Sequence, residues 1–364
     1  MREKLERVCK AFCIEGELLD YEELRAGNVN RTYRVDILRP DGGRKSYIAQ
    51  AVNTYVFKNP VQVMENIDRV TEHIRSKKPG GVALHFYHTR DRRTYWFDEE
   101  GFWRLFNFIP SETHTVCDDL ALVENAGGAF GEFQMLLSDF DAADLYETIP
   151  QFHNTRRRYE KLAADAAADP CGRAEGAQAE LDWLLSVEDA ACALTDLYEA
   201  GQLPLRVTHN DTKINNVLFA PGERRAIAVI DLDTVMPGLV GHDFGDAIRS
   251  AANFVEEDSP EAERAGVNLA VFRAFSEGFL KKTATALTER EIDLLAGSCF
   301  SLAAELAARF LDDYLLGDPY FKTDYPEHNL VRARCQIALA KDMRLHMAEM
   351  EEIVHACAAK YRGA

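Results

Sequence analysis

Residues Val207–Arg249 read VTHNDTKINNVLFAPGERRAIAVIDLDTVMPGLVGHDFGDAIR. An apolar run ends at Thr208-His209-Asn210-Asp211, Asn216 follows five residues after Asp211, and a strand-like AIAVI then delivers Asp231 and Asp233. The pattern predicts a hairpin with an acidic cluster at each end. Two polar turns would account for a lone Asp-x-Asp, but chance explains HxDxxxxN followed within one hairpin by apolar-IDxD poorly. Phosphoryl transfer uses these residue types. One carboxylate orients the attacking hydroxyl and accepts its proton, and oxygen ligands hold a Mg²⁺ that bridges nucleotide phosphates. Asp211 suits the first role, and Asn216 with Asp231 the second. Asp233 is either a further metal ligand or a turn former. Lys213 either offsets charge on the migrating phosphoryl group or faces solvent.

His209, Asp211, Asn216, Asp231 and the later HDFGDAIR resemble the aminoglycoside-phosphotransferase and choline-kinase superfamily, relatives of the protein kinases. HNDTKINNVLF, VIDLDTVMPG and DFGDAIR are similar to its N-acetylhexosamine 1-kinase branch, whose members phosphorylate the anomeric hydroxyl of GlcNAc or GalNAc. The resemblance runs from about Gly27 to about Met343. It implies an α+β, protein-kinase-like fold of two lobes, with a small antiparallel sheet first and a mainly helical lobe after it. It also implies ATP as co-substrate, Mg²⁺ held by Asn216 and Asp231, Asp211 as catalytic base, and His209 and Asp243 bracing the catalytic loop.

Composition agrees with such a chain. Its 364 residues exceed one ordinary core, and 47% hydrophobic with 28% charged residues is globular. A formal charge of −18 argues against a nucleic-acid partner, whose phosphate backbone is held chiefly by Lys and Arg. MREKLERVCKAFCIEG reads as an amphipathic helix without a signal-peptide core, and no stretch reads as a membrane span of about 20 apolar residues. A cytoplasmic monomer or small homo-oligomer is expected. The eight cysteines lack CxxC pairs and read as reduced thiols.

The first lobe is expected over residues 1–110, with a hinge near 105–110, and the second over 111–364. LRAGNVNRTYRVDIL predicts a hairpin whose Gly27-Asn28-Val29-Asn30 tip could set backbone amides over ATP phosphates, as the GxxN loop of the resembling kinases implies. Kinase-like enzymes carry a cation on the next strand and a Glu on the following helix. YIAQAVN offers no cation, so Lys45, Lys58 and Arg31 are substitutes, with Glu65 as a partner or an ordinary exposed acid. GVALHFYHT, TYWFDEE and FWRLFNFIP read as further strands, and Phe106-Asn107-Phe108 fits a segment that could pair with an adenine edge.

Beyond Cys117 the apolar spacing is helical. Gly127, Gly128 and Gly131 suggest close packing, and Asn154 or Thr155 is a candidate cap. ELDWLLSVEDAACALTDLYEAG and NLVRARCQIALAKDMRLHMAEMEEIVHACAA each read as one helix. Arg309, on an otherwise apolar face, needs a partner: Glu305, Asp312, Asp313 or a substrate. The resemblance puts Arg309, Tyr320 and His153 at the sugar. Two other readings stand beside it, a kinase for another alcohol (aminoglycoside, choline or homoserine type) and a non-catalytic pseudokinase-like binding module.

Overall fold

The computed structural model describes residues 1–24, 29–115 and 118–363. Helix α1 (Arg2–Ala11) leads into strands β1 (Glu17–Leu24), β2 (Arg31–Leu38) and β3 (Arg44–Val52), followed by α2 (Pro60–Lys77), β4 (Trp96–Asp98) and β5 (Gly101–Asn107). These strands form one antiparallel sheet in the order β1-β2-β3-β5-β4. Period-two alternation divides its faces. Tyr33, Val35, Ile37, Ala49 and Leu105 pack on Leu5, Val8 and Phe12 of α1. On the other face Val52 and Phe102 meet Val63, Met64, Ile67 and Val70 of α2. GVALHFYHT is not a strand: it meets β5 through one isolated bridge, Phe86 to Phe106.

The second lobe comprises α3 (Leu120–Leu136), α4 (Thr155–Ala168), α5 (Gln178–Ser186), α6 (Glu188–Ala191), α7 (Ala193–Glu199), strands β6 (Arg206–Thr208), β7 (Val217–Phe219), β8 (Ala226–Val229) and β9 (Met236–Gly238), then α8 (Val240–Ala251), α9 (Leu269–Thr283), α10 (Glu289–Leu315), α11 (His328–Leu345) and α12 (Met347–Arg362). Two expected helices are broken, the first at Val187 and Cys192 and the second at His346. None of these breaks carries a Gly or Pro, so periodicity alone runs through them. Asn154 caps α4, its side chain accepting from the Arg157 N–H at 3.0 Å.

Helix α10 has the length and apolarity of a membrane span, but 78% of its most apolar window is buried inside this lobe. Phe244 of α8 packs edge-on against Phe272, Phe275 and Phe279 of α9. All four are fully buried, each stabilising by about 1.5–3 kcal/mol.

The glycines of α3 have a packing reason. A Cβ on Gly127 would lie 2.3 Å from the Phe275 carbonyl oxygen, and one on Gly278 of α9 would lie 1.8 Å from that of Glu124. The two backbones touch there, so Gly278→Ala is expected to cost about 1–3 kcal/mol through forced separation. Gly297→Ala on α10, where a Cβ meets nothing within 4 Å, is expected to gain up to about 1 kcal/mol from helix propensity. Urea unfolding midpoints moving in opposite directions would bear this out, and a neutral Gly278→Ala would refute the close crossing.

Candidate active site

The site is built on the short ladders β6–β9 and β7–β8. Between β6 and β7 the chain turns through Asn210, whose φ of 62° is tolerated because an Asn side chain can satisfy backbone groups locally. Its amide nitrogen donates to the Thr234 carbonyl at 2.9 Å, and Thr234 Oγ1 donates to the His209 carbonyl at 2.7 Å.

Asp243 on α8 holds this loop from below. It accepts the His209 N–H at 3.0 Å, the Asn210 N–H at 2.8 Å and the Gln134 side-chain amide at 2.7 Å. Burial pushes its pKa up, against the pull of these donors. One turn on, Asp246 accepts the Thr212 N–H at 2.9 Å. Burial opposes its ionisation, but the charges of Arg249 and Lys213 prevail and hold its pKa below the usual carboxylate value. Arg249 also pairs with Glu257.

His209 is fully buried, edge-on to Phe130 at 5.8 Å and Phe133 at 5.9 Å. Its Nε2 lies 2.8 Å from the Ile230 carbonyl, which can only accept, so Nε2 carries the proton and Nδ1 accepts the Asp211 N–H at 3.3 Å. The ring thus ties the loop before Asp211 to the strand end before Asp231, where a free base would have an open nitrogen.

Asp211 is half-buried. Asn216 donates to its backbone carbonyl at 2.9 Å and to Oδ2 at 3.2 Å, and Lys213 Nζ lies 3.2 Å from Oδ1. The Asp211 charge, against desolvation, raises the Lys213 pKa. The Ile230 N–H donates to the Asn216 carbonyl at 2.9 Å, which brings Asn216 beside Asp231. Asp231 sits at φ 61° and faces the open cleft. Crowding by the surrounding protein, then the charges of Asp233 and Asp211, push its pKa up to about 6.

Among the described residues no three His, Cys, Asp or Glu side chains converge as a metal cage. The donors present still fit Mg²⁺, which commonly takes one or two protein oxygens and completes its shell with water and phosphate. Asn216 turns its nitrogen to Asp211, leaving its oxygen free of protein donors, and no protein donor reaches the Asp231 carboxylate among the described residues.

Several expectations are corrected. Asp233 is not an open metal ligand: it is buried, ion-paired with Arg104 and accepts from Asn30 Nδ2 at 2.6 Å. Asn30 is a tie between segments, its Oδ1 also accepting the Asn53 N–H at 2.9 Å. Gly27 and Asn28 lie outside the described residues, as does Cys117. Phe106 is held in the ladder opposite Ile48, and the Asn107 side chain bonds the His85 N–H and the Ala83 carbonyl. Backbone open to an adenine edge therefore begins at Phe108. Lys45 bonds the Tyr87 hydroxyl, Lys58 lies over Tyr55, and Arg31 pairs with Glu23, so none of the proposed substitutes enters the cleft. Glu65 is a surface partner of Arg69.

The expected acid partners of Arg309 are engaged elsewhere. Glu305 takes His153 Nδ1 at 2.9 Å and the Thr155 hydroxyl at 2.7 Å; Asp312 takes Lys161; Asp313 takes the N–H groups of Tyr320 and Phe321. The Arg309 guanidinium lies over Phe152 at 5.2 Å and Phe321 at 5.7 Å. Tyr320 is exposed, edge-on to Phe321. His153 packs at 4.7 Å, tilted by 41°, against His242 of α8, one residue before Asp243, which links this cluster to the loop that carries Asp211. Buried His153 Nε2 and Arg158 Nε have no hydrogen-bond partner among the described residues. Arg104 and Gln134 were not among the residues expected at the site. Only Gln134 carried a signal, as a polar residue inside the apolar stripe of α3.

An antiparallel sheet above a helical lobe, with this hairpin between them, defines a protein-kinase-like phosphotransferase. The family model described as the phosphotransferase enzyme family (APH) matches residues 20–280, and the chain belongs to that family. Similar solved structures include choline kinase from Cryptosporidium parvum Iowa II (13% identity, 98% of this chain and 99% of that one, TM-score 0.61). Spectinomycin phosphotransferase in complex with ADP and spectinomycin is another (13% identity, 94% and 98%, TM-score 0.58). A microcompartment-associated aminopropanol kinase shares the fold as well (15% identity, 95% and 98%, TM-score 0.59). The protein is a small-molecule phosphotransferase of the aminoglycoside and choline kinase type.

His242 supplies a test of this packing. Burial first, then the charge of His153, depresses its pKa from 6.5 to about 3. The unfolded chain takes up this proton as pH falls through about 6.5 and the folded chain does not until about 3, so stability is lost on acidification across that window. Unfolding free energy is expected to drop by about 2 kcal/mol from pH 7 to 5 on this account alone. Urea titrations of His242→Gln should show a shallower slope, and an unchanged slope would contradict the neutral buried imidazole.

Proposed function

We propose that this chain transfers the γ-phosphoryl group of ATP to the anomeric hydroxyl of a neutral hexose, N-acetylglucosamine or N-acetylgalactosamine first among them. In this reading residues 1–110 hold the nucleotide, 105–110 form the hinge and 111–364 hold the acceptor. The sugar O1 attacks the γ-phosphorus in line, the bond from phosphorus to the β–γ bridging oxygen breaks, and ADP leaves with that electron pair. Asp211 orients O1 and takes its proton, while Lys213 sets positive charge beside it. Asn216 and Asp231 would hold Mg²⁺, which supplies charge neutralisation at the phosphates.

The observation that carries the acceptor is the state of the cluster around Arg309. A choline-type or aminoglycoside-type substrate is a cation and calls for open carboxylates or bare aromatic faces. Here Glu305 and Asp313 are bound to protein donors, Asp312 gives one oxygen to Lys161, and a guanidinium already covers Phe152 and Phe321. What the cluster offers instead is the Arg309 guanidinium, Arg158 Nε, which has no partner among the described residues, and His153 Nε2, an acceptor while Nδ1 donates to Glu305, a mixture that suits hydroxyl and carbonyl groups.

An ADP-release assay over N-acetylglucosamine, N-acetylgalactosamine, choline and an aminoglycoside separates the readings. Turnover with the hexosamines is expected, and turnover confined to the cationic alcohols would overturn the sugar assignment. Arg309→Met should raise the sugar KM by about tenfold or more, a lost charged hydrogen bond of about 1.5–3 kcal/mol, and leave the ATP KM nearly unchanged. Asp211→Asn should keep the fold and lower kcat by about 10²–10⁴; a near-wild-type kcat would end its role as base.

A further inference from the structure

Kinase-like chemistry uses a strand cation that contacts the α- and β-phosphates and is steered by an acid. The central strand of this sheet has Ala49, Gln50 and Ala51 where such a cation belongs. The face of β3 that looks toward α2 carries Ile48, Gln50 and Val52, so Gln50 occupies the cation's position, while Ala51 packs on the α1 side.

Directly opposite Gln50 on β5 stands Arg104. It is 2% exposed, and two polar partners, Gln50 and Asp233, aim it. Its Nε donates to Gln50 Oε1 at 2.8 Å, Gln50 is itself anchored on the Thr32 hydroxyl at 2.8 Å, and one Nη is ion-paired with Asp233. On α2 the residue facing it is Met64, whose sulfur lies 3.8 Å from Nη1. The Nη2 group has no hydrogen-bond partner among the described residues. Asp233 is two residues from Asp231 and is bonded on its other oxygen by Asn30, immediately ahead of β2.

We propose that Arg104 is the nucleotide-phosphate cation of this protein. An Arg104–Asp233 pair between β5 and the turn after β8 stands in for the usual pair between the central strand and the following helix. The planar guanidinium suits this division: one edge is fixed by Gln50 and Asp233, and the remaining donors are left for phosphate oxygens. The role rests on the reading that ATP is the phosphoryl donor.

Calorimetric binding of MgADP and the ATP KM test it. Because Arg104→Gln alone would strand a buried carboxylate, the variant of choice is Arg104→Gln with Asp233→Asn, a neutral pair of similar shape. It should weaken MgADP binding and raise the ATP KM about tenfold or more, with the acceptor KM within about twofold of wild type. Adding Gln50→Lys, which restores a cation on the central strand, should recover at least about a third of the lost affinity on a logarithmic scale. Should the double variant not fold, Arg104→Lys carries the test, with an ATP KM raised about fivefold. Wild-type protein that binds MgADP together with a folded Arg104 variant that binds it equally well overturns the role of Arg104 alone. Wild-type protein that does not bind MgADP overturns the nucleotide reading with it.

Discussion

The loop that carries Asp211 is held by a single buried carboxylate that accepts three donors. Asp243 takes two consecutive backbone N–H groups, those of His209 and Asn210, and the Gln134 amide from α3. Hydrogen bonds to a buried charge contribute about 1.5–3 kcal/mol each, enough to hold Asn210 in the left-handed region. That turn in the backbone presents Asp211 to the cleft. Asp246 repeats the device one turn later on Thr212, so α8 is a platform on which residues 209–212 are laid.

The opposite wall is an electrostatic problem. Asp211, Asp231 and Asp233 lie close enough that the charges of the other two hinder the ionisation of Asp231. Arg104 offsets Asp233 and Lys213 lies beside Asp211, which leaves Asp231 as the carboxylate whose charge a bound cation would offset. A chain with a net charge of −18 can therefore accommodate an anionic nucleotide through a few local contacts, whatever its outer surface carries. On the acceptor side the pattern is reversed. His153 and Arg309 both hold the pKa of Glu305 down to about 2 against burial, so that carboxylate stays ionised as the anchor of a donor-rich cluster.

The parts legible from sequence were those whose information is local. The five-residue step from Asp211 to Asn216 and the strand into Asp231 sit on one hairpin, so spacing alone brings them together, while the bracing role of Asp243 came from the family resemblance. Gly127 and Gly131 announced a close helix contact, although Gly278, the partner in that contact, could be found only by folding. Arg104 was invisible for the same reason, because its meaning comes from a register that sets it across from Gln50, 54 positions earlier. Asp233 looked like a metal ligand because sequence spacing does not reveal that Arg104 and Asn30 converge on it. Arg309 was expected to meet an acid or a substrate, and its guanidinium lies over two aromatic faces, a contact with no fixed spacing along the chain.

The central claim, transfer of phosphate to a sugar hydroxyl, is tested most directly by ³¹P NMR of the protein with MgATP and N-acetylglucosamine. The account predicts loss of the γ-phosphate resonance and growth of a phosphomonoester signal coupled to the anomeric proton. Inorganic phosphate and ADP with no phosphomonoester signal, or a spectrum that does not change, would contradict it.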